Sequence, residues 1–167
     1  MSKINVRIRF AKESDKDEVL SFTERTWEWG DYIKYVWDIW IRDRSGKLFV
    51  AEVNGKPVGI LHVAFLPDGS AWLEGLRVHP SFRRKGIAYK LNLEALQYIK
   101  ENGYHLIRLA IAKWNKPPQK LAHKLGFKEL CCWESFDSTL NKLPKVLPKE
   151  CKIETNIDFL WRKITKS

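Results

Sequence analysis

The sequence predicts an α/β (α+β) fold built on one mixed, mostly antiparallel sheet, and three observations predict it. Residues 4–10 alternate Ile4, Val6, Ile8 and Phe10 with polar neighbours, the period of a half-buried strand. Asn54-Gly55 separates two apolar-rich runs, 47–53 and 57–66, and this dipeptide is a strong short-range hairpin signal. Finally, Glu74 to Ala88, EGLRVHPSFRRKGIA, passes from an apolar strand through a basic loop into a helix start, and a second apolar strand follows that helix. A strand, a crossover helix and a strand of this length place the two strands parallel.

Taken in order, Ser14 with Asp15, Asp17 and Glu18 reads as the N-terminus of a first helix, which runs to about Trp29 and ends at Gly30. Asp31 to Arg44 restarts as a second helix, wrapped by Tyr32, Tyr35, Val36, Trp37, Ile39 and Trp40. Lys47–Val53 and Pro57–Leu66 form the hairpin, and Pro67-Asp68-Gly69 turns into a third run from about Ser70 to Val78. From Ile87 the positions Leu91, Ala95, Tyr98 and Ile99 recur at helical spacing until Asn102-Gly103. Tyr104–Ala112 reads as a buried strand, and Pro117 and Pro118 suit the first turn of a helix ending near Gly126. Lys128–Phe136 and Ile157–Ile164 read as closing strands. The order is β-α-α-β-β-β-α-β-α-β-β, in a single domain over 1–167 without internal repeats.

Composition narrows the classes. Hydrophobic residues make up 44% and aromatics 13% of 167 residues, enough for one packed core and too much for a disordered chain. No run approaches 18 apolar residues, and MSKINVRIRF is a charged, alternating strand rather than a leader, so the expected location is the cytoplasm, with no membrane partner. Cys131, Cys132 and Cys151 are odd in number and lack metal-ligand spacing, so neither a disulfide framework nor a metal is expected. The formal net charge of +10 could draw nucleic acid, an acidic partner or a polyanionic cofactor. The basic residues are spread along the chain, without a basic helix or an aromatic-interleaved RNA motif, which argues against nucleic acid.

The Glu74–Ala88 junction favours an anion, because the first N–H groups of a helix lack intrahelical partners and sit at the positive end of its dipole. Gly86 permits close approach, and Arg83, Arg84 and Lys85 add positive charge. Here the chain resembles a known family. Arg83, Gly86 and Ala88 match the Arg/Gln-x-x-Gly-x-Gly/Ala pyrophosphate loop of the GNAT superfamily, acyl-CoA-dependent N-acetyltransferases. Val78-His79-Pro80 precedes the loop at the family's spacing, and NKPPQKLAHKLGF, Asn115 to Phe127, is similar to its Asn-(x)10-Gly-Phe segment. The resemblance implies the GNAT fold, in which the fourth and fifth strands splay into a V that receives the pantetheine arm. It implies acetyl-CoA as donor, released as coenzyme A. Backbone groups of Leu76, Arg77 and Val78 would then pair with pantetheine, N–H groups from Arg84, Lys85, Gly86, Ile87, Ala88 and Tyr89 would take the pyrophosphate, Arg83 would brace the loop, and Asn115 would bond the pantetheine. Members are often dimers, and eight tryptophans leave room for a homodimer.

Acyl transfer to an amine needs a free lone pair, a stabilised oxyanion and a proton for the leaving thiolate. An alkyl ammonium of pKa about 10.4 is only roughly 0.04% deprotonated at pH 7, so a carboxylate near the amine has an evident task. Glu74 is the candidate base: strand alternation sets Glu74, Leu76 and Val78 on one face and Leu73, Gly75 and Arg77 on the other. Its structural alternative is a carboxylate that pairs with Arg77 or another base, or that faces solvent. Where many members carry a tyrosine acid the chain has Ala122, and His123, about 100° around the helix, is one candidate replacement; the alternative is that His123 packs or contacts cofactor and solvent or a residue such as Tyr89 protonates the thiolate. The helix junction, with Trp27, Glu28, Trp29, Asp31 and Tyr32, is read either as core packing or as the acceptor wall. The expected activity is acetyl transfer to the primary amine of a small molecule. The alternatives are a peptide or protein amine, and a non-catalytic module that binds coenzyme A or nucleic acid.

Overall fold

The computed structural model describes residues 4–132 apart from Arg25 and Trp29. All but the last four of these belong to one compact unit, Met1–Lys128. Its sheet has five strands in chain order: β1 (Arg7–Phe10), β2 (Gly46–Val53), β3 (Lys56–Phe65), β4 (Ser70–Val78) and β5 (Leu106–Leu109). The first three pairings are antiparallel and β4/β5 is parallel. Asn54 and Gly55 take φ of 49° and 79°, the double left-handed geometry that a two-residue hairpin needs and that these two residues supply.

The helices are α1 (Lys16–Thr23), α2 (Ile33–Trp40), α3 (Ile87–Glu101) and α4 (Lys116–Lys124). α1 stops six residues before the predicted Trp29, as the Thr26 hydroxyl donates to the Thr23 carbonyl at 2.7 Å and Thr26 N–H bonds the same oxygen, closing a turn in place of a helix. Asp15, not Ser14, organises the entry to α1. Its buried carboxylate accepts from Arg9 and from Lys12 N–H, at 2.7 to 2.8 Å. Burial alone would raise this carboxyl, but those donors outweigh it and hold it below the ordinary range. α2 begins where the Asp31 carboxylate accepts Ile33 N–H. The predicted strand at 128–136 is absent from its described part, since 128–132 carry no regular structure; the rest of it, and the strand 157–164, lie outside the described residues.

Both faces of the sheet are covered. α3 lays Ile87, Leu91, Ala95 and Ile99 on Phe49, Leu61, Val63, Ala71 and Leu73, and each fully buried Leu or Ile is worth about 1.5–3 kcal/mol of transfer energy. α1 and α2 lay Val19, Phe22, Ile33, Trp37 and Trp40 on Leu48, Val50 and Ile60.

The predicted alternation along β4 is corrected by a bulge. Ile60 pairs with Arg77 and His62 with Glu74, so three steps on β4 oppose two on β3. Gly75 sits in the bulge at φ 67°. The extra residue shifts the pleat, so Leu76 and Val78 join Leu73 on the α3 face while Glu74 meets His62 on the α2 face. Glu74 and Leu76 therefore do not share a face.

Candidate active site

The β4/β5 ladder runs from Ser70↔Leu106 to Leu73↔Leu109 and stops. Its closed end is stitched by Asp68, which accepts from the Ser70 hydroxyl at 2.6 Å and from Arg108 at 2.5 Å; those two donors, in that order, hold its carboxyl at about 2, below the ordinary 3.8. Beyond Leu73 the strands part, which is why β5 is shorter than the predicted Tyr104–Ala112. A bulged strand bends, and this bulge lies at the fork. The gap is a cleft of about 680 Å³ between residues 73–78 of β4 and residues 109–112, closed at one side by Asn115 and the Pro117, Leu121 and Ala122 side of α4. It is the V-shaped splay that the sequence led one to expect.

At one end of the cleft lies the basic loop. Arg83 Nε donates to the Val78 carbonyl at 3.1 Å, and Lys85 Nζ to the Ser81 carbonyl at 2.8 Å, so both tie the loop to its own backbone. Arg84 is exposed and makes no hydrogen bond or ion pair among the described residues. Arg84 and Gly86 take φ of 61° and 78°, and Gly86 is the N-cap of α3 with no side-chain cap. Left-handed residues are what a nest of anion-binding backbone N–H groups is built with, and these two lead into the free first turn of a 15-residue helix. Ile87 is buried in the core, so only its backbone can serve a ligand. Ala88 leaves the approach open, and Tyr89 lies beneath Lys124 Nζ at 4.7 Å.

On β4 the Leu76 carbonyl already accepts from Arg77 Nη1 at 3.0 Å, as the Val78 carbonyl does from Arg83. The Arg77 guanidinium continues to Asp31, whose side chain is 1% exposed, at 2.6 and 3.2 Å. Arg77 thus pairs with Asp31 and leaves Glu74 to another partner. Glu74 Oε1 lies 3.0 Å from His62 Nδ1, and Glu74 itself lines the cleft with a side chain 31% exposed. Its Oε2 has no hydrogen-bond partner among the described residues.

Aromatic side chains wall the Glu74 end: Trp27 and Trp114, edge to face at 5.1 Å, with Trp72 and Tyr32. Tyr32 is 43% exposed as a residue, but its hydroxyl lies inward near the Gly75 backbone. Burial pushes that hydroxyl up, against the pull of Arg77, so it stays protonated at neutral pH.

The structure gathers Trp27, Tyr32, Glu74, Leu76, Arg77, Val78, Arg83 and Asn115 around the cleft. Asn115 holds the N-cap position of α4 without a side-chain cap bond, so its amide is not spent on the helix. Asp31 is buried behind the wall as the partner of Arg77, and Glu28 is exposed and off the lining. Trp29 lies outside the described residues. His123 is exposed on α4, away from the lining, whereas Ala122 faces inward. Sequence reasoning missed Trp72, Trp114 and His62; a polar side chain inside the apolar run GILHVAF was the signal for His62.

Residues 16–127 match the family model described as acetyltransferase (GNAT) family. An uncharacterized N-acetyltransferase of Methanocaldococcus jannaschii is 30% identical over 142 residues, covering 73% of this chain and 60% of that protein. The chain thus spans about three fifths of that relative. Thialysine N-epsilon-acetyltransferase of Sus scrofa is 27% identical over 155 residues, covering 79% of this chain and 91% of the enzyme. A solved structure of a candidate acetyltransferase from Thermoplasma acidophilum superposes with a TM-score of 0.61 at 33% identity, covering 72% of this chain and 52% of the other. The loop, the open fork between β4 and β5 and the family match agree: the chain belongs to the GNAT acetyltransferase family.

Proposed function

We propose that the protein transfers an acetyl group from acetyl-CoA to the primary amine of a small molecule, with Glu74 as general base. The observation that carries this reading is the cleft itself, a strand edge that no neighbouring strand covers, with the left-handed Arg84–Gly86 loop at one end and a carboxylate at the other. These features fit acetyl-CoA. The nest and Arg84 would hold its pyrophosphate, the open edge of β4 and Asn115 its pantetheine arm. When bound, it supplies an activated thioester carbonyl.

The chain's own groups do the rest. An ammonium entering between Trp27, Trp72 and Tyr32 is favoured by ring faces and by the Glu74 carboxylate. Glu74 Oε2 takes one proton from it, directly or through water, and frees the lone pair for attack on the carbonyl carbon. The C–N bond forms as the C–S bond breaks, the nitrogen gives up a second proton, one proton ends on the leaving sulfur, and the other passes to solvent. No acid stands on α4 at the Ala122 position; Tyr32, kept protonated, is the tyrosine lining the cleft.

A small acceptor is supported by the aromatic lining of Trp27, Trp72, Trp114 and Tyr32, and by the thialysine specificity that names the pig relative. Thiol release from acetyl-CoA, followed against amino acids, polyamines, arylalkylamines and short peptides, tests it. Small amines are expected to drive release at least tenfold faster than peptides carrying the same amine. Faster release with peptides would replace the small acceptor by a polypeptide.

A further inference from the structure

His62 is a buried titratable group that the transfer chemistry above leaves without a task. It is 1% exposed, in the middle of β3, and its ring stacks on Trp40 at 4.5 Å and 7°. The two ring nitrogens face two carboxylates. Nδ1 is 3.0 Å from Glu74 Oε1; Nε2 lies 3.4 Å from Asp43 Oδ2, buried and without a hydrogen-bond partner among the described residues. Asp43 is itself held, its Oδ1 accepting from the Ser45 N–H and hydroxyl at 2.8 Å each. Gly46 leaves room for it, since a Cβ there would lie 2.5 Å from Asp43 Oδ2. Among the described residues no such group is arranged to hold a metal ion.

We infer that His62, backed by Asp43, is the positioning residue for Glu74: it holds Oε1 by an N–H bond and so presents Oε2 to the acceptor amine. This inference rests on the reading of Glu74 as the base. The argument is one of donors and acceptors. An ionised carboxylate only accepts, so the short contact at Oε1 requires the proton on Nδ1. Nε2, 3.4 Å from Asp43 Oδ2, makes no hydrogen bond to it in this geometry, so Asp43 acts on the ring as a nearby negative charge. The Trp40 stack fixes the ring plane, and thus the direction of the Nδ1–H bond. Glu74 on β4, Asp43 on the loop after α2 and, farther along, the Tyr32 hydroxyl and the Arg77–Asp31 pair are the titratable groups of the surrounding elements. Arg42 and Arg44 flank Asp43 from the exposed side.

A donated N–H favours the ionised carboxylate, so removing it makes the base easier to protonate. His62→Phe keeps the ring stack and most of the volume. It is expected to lower kcat by roughly tenfold or more while KM for acetyl-CoA stays within about twofold, and to move the acidic limb of the kcat profile to higher pH. His62→Gln, whose amide can donate to Glu74, is expected to recover part of kcat. Asp43→Asn, at a partly exposed position beside the ring, is expected to lower kcat less than His62→Phe does. An unmoved limb and unchanged kcat in His62→Phe, with Glu74→Gln inactive, would overturn the positioning role and leave the base in place. Full activity of Glu74→Gln would instead remove the base reading, and the inference with it. Should His62→Phe fail to fold, nitrogen-15 NMR of the wild-type imidazole decides: a protonated Nδ1 through the working pH range supports the inference, and a bare Nδ1 overturns it.

Discussion

Glu74→Gln is expected to lower kcat at pH 7 by roughly 10²- to 10⁴-fold, the range for loss of a general base, with acetyl-CoA affinity unchanged. The substitution keeps the shape, and its carbonyl oxygen can still accept from His62 Nδ1, so the contact that anchors the side chain survives. Glu74 is partly exposed, and its replacement by an amide keeps an acceptor beside His62. What is lost is a site for the ammonium proton. Because roughly 0.04% of a lysine-like amine is free at pH 7, and each pH unit raises that fraction about tenfold, the deficit should shrink as pH rises. Thiol release measured from pH 6 to pH 10 for both proteins reads this directly. Equal kcat at pH 7 would show that the proton leaves by another route.

Gly75→Ala is expected to cost roughly 2–5 kcal/mol of folding stability, from left-handed strain and overpacking together. At φ 67° an L side chain is strained, and an added Cβ would lie 2.5 Å from both Trp40 Cζ3 and Cη2. Trp40 cannot yield freely, since its ring is buried and stacked on His62. The same change should depress activity, because the bulge that Gly75 permits carries Glu74 and lies where the strands part. Gly69→Ala is the control: its φ is 78° with nothing within 4 Å of a new Cβ, so it carries the strain without the clash. Denaturant unfolding of the two variants separates these contributions. Equal losses would show that packing against Trp40 does not matter.

Much of the fold was legible because its decisive signals are local. Asn54-Gly55 sets a hairpin by its own backbone preferences, and Gly86 with the basic loop marks the start of α3 whatever surrounds it. The bulge was not read, although a lone glycine inside a strand run is its usual mark, because Leu73 to Val78 is too short a stretch to show a one-residue slip in alternation. Long-range pairing was out of reach for the same reason. Asp31 and Arg77 are separated by 46 residues and His62 and Glu74 by 12, and nothing local announces either contact. Arg77 looked like the natural partner of Glu74 by proximity in sequence, and the bulge together with buried Asp31 gives it a different one. His123 looked available because it neighbours Ala122, yet the helix turns it to solvent. The aromatic cluster near Trp27 divides: Trp37 and Trp40 are core, while Trp27 and Tyr32 line the cleft.

The central claim is that the fork between β4 and β5 is an acetyl-CoA site, and thermal unfolding with and without acetyl-CoA tests it most directly. A ligand that binds only the folded state stabilises it by RT ln(1 + [L]/Kd), about 2.7 kcal/mol at 100 times Kd. The account predicts a concentration-dependent rise in Tm for the wild type, reduced in Arg84→Glu, which places a carboxylate beside the pyrophosphate nest. An unchanged Tm at millimolar acetyl-CoA would contradict it.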